Sequence, residues 1–465
     1  MKKLLLPILA LLFCSATIAK EKTVEEYTAE APFKMPTVVV PAFPDNELNV
    51  LDFGAVPDGR FLNTEAFSKT IAACVAKGGG KVVVPAGLWL TGPIEMKSNV
   101  NLHVERGALI LFSRSAKDFV GADGKLRFPI SGEKLKNIAI TGGGIIDGSG
   151  EVWRPVKKMK TTDNQWKSLL KQGGVLTDRE SIWWPTEEQS KKDSRPNLVN
   201  FKNCENVLVE DITLRSSPKF VLYPNSCSHV TIRNVNVYNE WWAQNGDGID
   251  ISACKNVVVY KCNVSVGDDG ICMKSSGDNN KPNLENVLIA ACNVYHAHGG
   301  FVIGSNTNGD MNNIYVVDCN FVGSDIGVRV KSNGGRGGEV KNVYIKNIFM
   351  ANIVEEAFHF DTYYQNVPAG ATRVEESALP TDKIPELHHF YISNIRCNGA
   401  KAAVAITGLP NHPVRHIFFD DVIILAKEGV TLKNAEDIYF KNTKIITEKE
   451  AAPVLENTKN INLPE

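Results

Sequence analysis

Ten short segments share one pattern, a polar residue that opens a β-rich run. They are Asn206-Val-Leu-Val, His229-Val-Thr-Ile, Asn256-Val-Val-Val, Asn286-Val-Leu-Ile, Asn313-Ile-Tyr-Val, Asn342-Val-Tyr-Ile, His389-Phe-Tyr-Ile, His416-Ile-Phe-Phe, Asp437-Ile-Tyr-Phe and Asn460-Ile-Asn-Leu, with Asn137-Ile-Ala-Ile as an earlier copy. By subtraction, the starts from Asn206 onward lie 21 to 30 residues apart, except for one gap of 47 between Asn342 and His389. A period of this size without helical patterning predicts a coil of parallel strands. One turn cannot bury its apolar side alone, so the turns must stack.

The cysteines test that stacking. Cys262, Cys292 and Cys319 each lie six residues after a repeat start, where other copies carry Ile212, Val235, Ile348 and Ile395. Cys204, Cys227 and Cys254 lie two residues before a start, exchanging with Leu284, Met311, Val340 and Leu387. A column in which cysteine alternates with aliphatic residues is one of buried thiols packed as small hydrophobes, so free core thiols are expected rather than disulfides. No Cys-x-x-Cys or matching histidine spacing asks for a metal, and nothing asks for another cofactor.

A second strand recurs in each turn: Gly248-Ile-Asp-Ile, Gly270-Ile-Cys-Met, Gly300-Phe-Val-Ile, Gly327-Val-Arg-Val and Ala357-Phe-His-Phe. Side chains alternate between the faces of a strand. Ile249, Ile251, Ile271, Met273, Phe301, Ile303, Val328, Val330, Phe358 and Phe360 therefore take the interior, and Asp250, Ser252, Lys274, Arg329, Lys331, His359 and Asp361 take the outer face. Aligned this way, Asp247 and Asp269 fall in one column on adjacent turns, roughly 5 Å apart by strand spacing. Asp268 and His298 share the neighbouring column. Two carboxylates that close raise one another's proton affinity and can jointly hold a water, while Asp268, one backbone position away, is placed to deliver a proton. Two carboxyl functions flanking a sugar bond with room for water are the arrangement of an inverting glycosidase. Arg329 and Lys331 add a fork and a point charge for an anionic substituent. Asp250, His296 and His359 have structural readings at least as good, as turn, packing or surface residues.

These motifs resemble those of glycoside hydrolase family 28, the polygalacturonase family. Asn245-Gly246-Asp247 resembles its Asn-Thr-Asp, with Gly for Thr, and Asp268-Asp269 its Asp pair. Ala297-His298-Gly299 resembles its Gly-His-Gly, and Arg329-Val330-Lys331 its Arg-Ile-Lys. The resemblance runs from Asp52-Phe53-Gly54-Ala55 onward. It implies an all-β fold, a right-handed parallel β-helix, with Asp268 as general acid, Asp247 and Asp269 activating water, and His298 supporting the acid's protonation. It further implies that Asn245, Arg329, Lys331 and a later tyrosine, assigned to Tyr364, contact galacturonate in pectic polysaccharide. A rhamnogalacturonan-directed enzyme of the family, a pectate-lyase-like eliminase and a non-catalytic β-helix module are the other readings.

The rest of the chain frames this core. Residues 1–19, with Met1-Lys2-Lys3, an apolar run and Ala16-Thr17-Ile18-Ala19, read as a secretory signal, so export to a bacterial periplasm or exterior is expected. Cys14 is a poorer fit as a lipidation site, since Phe13 precedes it. Residues 20–48, dotted with Pro32, Pro36, Pro41 and Pro44, read as an extended lead-in, and 49–465 as a single catalytic domain. Asn63-Thr64-Glu65-Ala66-Phe67 opens a helical pattern that Gly78-Gly79-Gly80 ends, with Asn63 as its N-cap and Phe67, Ile71 and Val75 on one face, closing one end of the coil. Insertions at about 150–197 and 362–388 lack the repeat. Trp153, Trp166, Trp183, Trp184, Trp241 and Trp242 cluster in loops near the first, some suited to stacking on sugars. If the insertions wall off the groove, the enzyme would act from a chain end. The net charge of -1 gives no reason to expect nucleic acid as a partner. No segment beyond the signal is apolar enough to span a membrane, and a monomer is expected.

Overall fold

In a computed structural model, residues 21–276, 283–364, 382–448 and 452–464 are described. The expected signal segment with Cys14, and most of the second insertion, lie outside them. The coil is a parallel β-helix: 29 strands join in one continuous sheet in which the long-range pairings are all parallel. The repeat is in register as read from sequence. Val207, Val230, Val257, Val287, Ile314, Val343, Phe390 and Ile417 stand opposite one another on successive turns, and all eight are buried.

The polar residue opening each repeat has a backbone reason. Asn206, His229, Asn256, Asn286, Asn313, Asn342, His389, His416, Asp437 and Asn460 all have φ between 52° and 58°. Among non-glycine residues, Asn, Asp and His tolerate this left-handed corner best. The corner amides also stack: Nδ2 of Asn206 donates to Asn137, that of Asn286 to Asn256, and that of Asn313 to Asn286, at 2.9, 3.2 and 3.1 Å.

Nine free thiols are buried in the described residues, Cys74, Cys204, Cys227, Cys254, Cys262, Cys272, Cys292, Cys319 and Cys397. Successive turns even bond through them, the Cys204 amide donating to Cys227 Sγ at 3.3 Å and the Cys227 amide to Cys254 Sγ at 3.4 Å.

Two local expectations need correction. The lead-in is not wholly extended, because Thr23 and Glu26 form a reciprocal capping box that starts a short helix, α1 (Val24–Ala29). Its Tyr27, with Met35, covers Val258, Leu288 and Val317 on the outside of the coil. That covering explains why these strands are apolar on both faces. The end-capping helix, α2 (Thr64–Ala76), is present, but Val75 is exposed and the buried face is Phe67, Thr70, Ile71 and Cys74. At 3.6 residues per turn, two steps of four rotate Val75 about 80° away from Phe67, whereas seven residues return almost to the same side. Asn63 makes no side-chain cap. It is wholly buried and ties Val56, Phe61 and Leu90 together instead. Among the described residues, no helix is long and apolar enough to cross a membrane.

Candidate active site

Six parallel strands line one outer face of the coil: β1 (Leu222–Asn225), β2 (Ile249–Ser252), β3 (Asp269–Lys274), β4 (Gly299–Gly304), β5 (Ile326–Lys331) and β6 (Glu356–Asp361). Their register pairs Ile249 with Ile271, Ile271 with Phe301, Phe301 with Val328 and Val328 with Phe358. The interior residues read from alternation are all in the core. Asp247 and Asp269, two positions before that register pair, therefore stand on adjacent turns as expected.

Glycine in the neighbouring turn makes room for the cations. A Cβ at Gly299 would meet Val302 at 2.5 Å and Arg329 Cβ at 3.2 Å, and one at Gly304, where φ is +99°, would meet the Lys331 carbonyl oxygen at 1.9 Å. Because Val302 is the one outward side chain on β4 between Gly300 and Gly304, Arg329 and Lys331 on β5 reach past it to the aspartates on β3. Lys331 Nζ donates to Asp269 Oδ2 at 2.8 Å, and Arg329 Nη1 lies 3.5 Å from Asp269 Oδ1. Tyr364 covers both cations, its ring centre 5.6 Å from the Arg329 guanidinium carbon and 5.3 Å from Lys331 Nζ.

On the other side stands a cation whose role the sequence did not reveal. Lys274, at the end of β3, donates to Asp247 Oδ2 at 3.0 Å and to Cys272 Sγ at 3.1 Å. It also lies 3.2 Å from Asp250 Oδ1, an ion-pair contact without hydrogen-bond alignment. Asp250 is wholly buried and faces the same cluster, so it is more than a turn residue. The signal for both was their shared place on the outer face of neighbouring strands. What alternation cannot give is the diagonal reach of a four-carbon side chain.

The carboxylates differ sharply in environment. Burial, followed by the charge of Asp250, pushes Asp247 well above the usual carboxylate range despite Lys274. Burial likewise raises Asp250, to about 6. Burial would raise Asp269 as well, yet the charges of Lys331, Lys274 and Arg329 together hold it low. Burial would raise Asp268 too, but the hydrogen bond with His298 and the charges of Lys331 and Lys160 hold it well below the ordinary range. Its oxygens accept from the Asn245 and Asp269 amides at 3.2 and 3.0 Å, and His298 Nδ1 is 3.1 Å from Oδ1. Of the four carboxyls, Asp247 and Asp250 are thus the ones whose proton affinity is raised. Asp247 Oδ1 and Asp269 Oδ1 are buried and form no hydrogen bond within the protein.

Asp268, Asp269 and His298 are also close enough to share a metal ion, their nearest ligand atoms lying within 4.8 Å of one another. Lys331 already occupies an Asp269 oxygen, so a divalent cation would have to displace it.

The first insertion folds beside this cluster. Its helix α3 (Asp163–Lys171) and a three-stranded antiparallel sheet bury Val156, Trp166 and Trp183 in a small core of their own. Trp153 packs edge-on against Phe119, with ring centres 5.4 Å apart. Three of the six tryptophans are therefore packing residues, whereas Trp241 is 51% exposed beside the cluster. Arg195 Nη2 donates to Asn245 Oδ1 at 3.0 Å. Lys160 Nζ lies 3.2 Å from His298 Nε2. Lys160, Trp241, His296, His298 and Asp325 line a cavity of about 420 Å³. His359 sits away from the aspartates, between Glu356 and Asp361.

Comparison with known proteins agrees with this geometry. The sequence profile of "Glycosyl hydrolases family 28" matches residues 167–444. An exo-poly-alpha-D-galacturonosidase of Dickeya chrysanthemi is 24% identical over 85% of this chain and 70% of its own. A probable polygalacturonase of Vitis vinifera is 24% identical over 81% of this chain and 74% of its own. Among solved structures, a hyperthermoactive exopolygalacturonase from Thermotoga maritima superposes with a TM-score of 0.73 at 27% identity, covering 88% of this chain and 94% of that one.

Proposed function

The chain belongs to glycosyl hydrolase family 28, and from that premise we propose that it hydrolyses α-1,4-galacturonosyl linkages of pectic polysaccharide with inversion, releasing sugar from a chain end. The observation that carries this is the pair of unbonded carboxylate oxygens, Asp247 Oδ1 and Asp269 Oδ1, on adjacent turns beside the cationic pair Arg329 and Lys331. A water bridging those two oxygens is activated by the ionised Asp269. Asp268, offset by one backbone position, protonates the leaving oxygen on the other side. An acid must first hold a proton, and Asp268 is ionised in the free site. The substrate supplies the correction: a galacturonate carboxylate on Arg329 and Lys331 neutralises Lys331, one of the charges that hold Asp268 low. Tyr364 and Asn245 complete the sugar contacts.

Attack from a chain end is supported by the first insertion, which closes one flank of the cluster with Lys160 and Arg195, and by the exo-acting relatives named above. Incubation with polygalacturonate tests the reading. New reducing ends without ultraviolet absorbance, early release of a single small product and an inverted anomer by NMR are expected. Absorbance from an unsaturated product would replace hydrolysis by elimination, a retained anomer would refute the water geometry, and a ladder of intermediate lengths would refute end attack. Cleavage of rhamnogalacturonan fragments in preference to homogalacturonan would move the substrate assignment within the family.

A further inference from the structure

Lys160 belongs to the first insertion, outside the repeat, yet its ammonium reaches the far side of the histidine that touches the acid. Nζ lies 3.1 Å from the Gly267 carbonyl oxygen, 3.4 Å from that of Trp241 and 3.2 Å from His298 Nε2. An ammonium has three donors and no acceptor. Facing it, Nε2 can only accept, so the ring proton of His298 sits on Nδ1 and points at Asp268 Oδ1, 3.1 Å away.

A histidine touching a carboxyl can hold a proton shared with it in two ways. Either the ring takes it, giving imidazolium and carboxylate, or the carboxyl takes it, giving neutral imidazole and carboxylic acid. Only the second arrangement can protonate a leaving group. The groups facing His298 are Asp268 on Nδ1, and Lys160 together with Asp325 on Nε2, the Asp325 carboxylate at 3.8 Å. Without Lys160, Nε2 would face the Asp325 carboxylate alone, a partner that only accepts and so favours a proton on Nε2. We propose that Lys160 is a positioning residue for the general acid: by occupying the Nε2 lone pair of His298 it excludes the imidazolium, so that the proton the pair takes up once substrate is bound rests on Asp268.

The cation has an opposing effect, since its own charge also draws Asp268 toward ionisation. Distance decides between the two. An imidazolium would place its charge in contact with Asp268, whereas the ammonium stands beyond the ring, and Coulomb energy falls with separation. Exchanging the nearer charge for the farther one favours the acid. Lys160 is itself half-buried, and that burial lowers its proton affinity against the pull of Asp268. Lys157 adds like charge from the same insertion.

This inference rests on Asp268 being the acid of the proposed hydrolysis, and the test separates the two. In full-length protein, Lys160→Met is expected to lower kcat on oligogalacturonate about tenfold or more with KM little changed. The alkaline limb of its pH profile should move to higher pH by about one unit, because without the cation the pair binds its proton more tightly but on the ring. Lys160→Arg, which also only donates, should restore both. An unmoved limb, or a loss confined to KM, would overturn the proposal and leave a merely structural lysine. Nitrogen NMR of wild-type protein, with His298 assigned through His298→Gln, gives a second reading that needs no folded Lys160 variant. An unprotonated Nε2 at about pH 6 is expected, and a protonated one overturns the proposal. Absence of any hydrolysis by wild-type protein would refute the function while the nitrogen signal still reports on the contact.

Discussion

Two polar stacks run along this coil at the same spacing between turns, and they solve the same problem in opposite ways. The corner column of Asn137 and Asn206, continued by Asn256, Asn286 and Asn313, is neutral and self-complementary, each bonded amide donating to the turn before. The groove columns hold Asp247, Asp250, Asp269, Lys274 and Lys331, buried charges that cannot satisfy themselves by repetition. Like charges at the spacing of neighbouring strands repel. The groove therefore interrupts its stack with Gly299 and Gly304 and pairs carboxylates with lysines diagonally across turns. A neutral stack can be extended indefinitely and does only structural work. A charged stack must be broken to be stable, and the break leaves buried carboxylate oxygens without a protein partner, available for chemistry.

If that contrast holds, changes in the groove should be far more costly to activity than changes at the corner. Asp268→Asn keeps the shape but cannot donate a proton, so kcat is expected to fall about a thousandfold with the melting temperature nearly unchanged. Full activity in that variant would move the acid elsewhere in the cluster. Lys274→Met strands Asp247 and Asp250 in a buried site; unfolding in denaturant should show a loss of about 3–5 kcal/mol. A small loss would mean that the two carboxyls simply take up protons, which a stability curve against pH would reveal.

His359 extends the comparison to a partly buried ion pair outside the catalytic cluster. Although burial acts against it, contacts with Asp361 and Glu356 raise this imidazole to about 9. Because the folded value exceeds that of the unfolded chain, about 6.5, its stabilisation is complete below that pH and is lost as pH rises through about 9. The Glu356 contact, 3.1 Å from Nδ1, lacks hydrogen-bond alignment, so about 2 kcal/mol is a fair scale. His359→Gln should remove this fall from the melting curve without touching kcat.

The smallest effect belongs to the corner. Asn286→Ala should cost about 1–2 kcal/mol, because alanine meets the left-handed corner badly and cannot carry the amide ladder. Asn286→Gly should cost less, reversing the usual preference for alanine over glycine. Equal losses would show that the ladder, and not the corner, is what asparagine provides there.

Much of this was legible in the sequence because a coil turns sequence period into spatial column. The pairing of Asp247 with Asp269, the contact of Asp268 with His298 and the interior face of β2 to β6 all followed from alignment of repeats. Three things did not. Lys274 and Asp250 were on the correct face, but their ion pair depends on side-chain reach between columns. Lys160 and Arg195 lie in an insertion with no period, so nothing in their spacing brings them to the groove. The ionisation of Asp268 in the free site is a sum over His298, Lys331, Lys160 and burial, which no column displays. At the other end of the coil, Val75 turns to solvent because two steps of four overshoot two helical turns.

The buried thiols have a consequence for measurement. From Cys74 to Cys397 they are distributed along the coil, and Cys397, raised by burial to about 12, is protonated and unreactive at neutral pH. An alkylating reagent can reach a thiolate only when the turn that covers it opens. Mass-resolved labelling would then time the opening of each stretch of coil separately, using clocks the chain already carries.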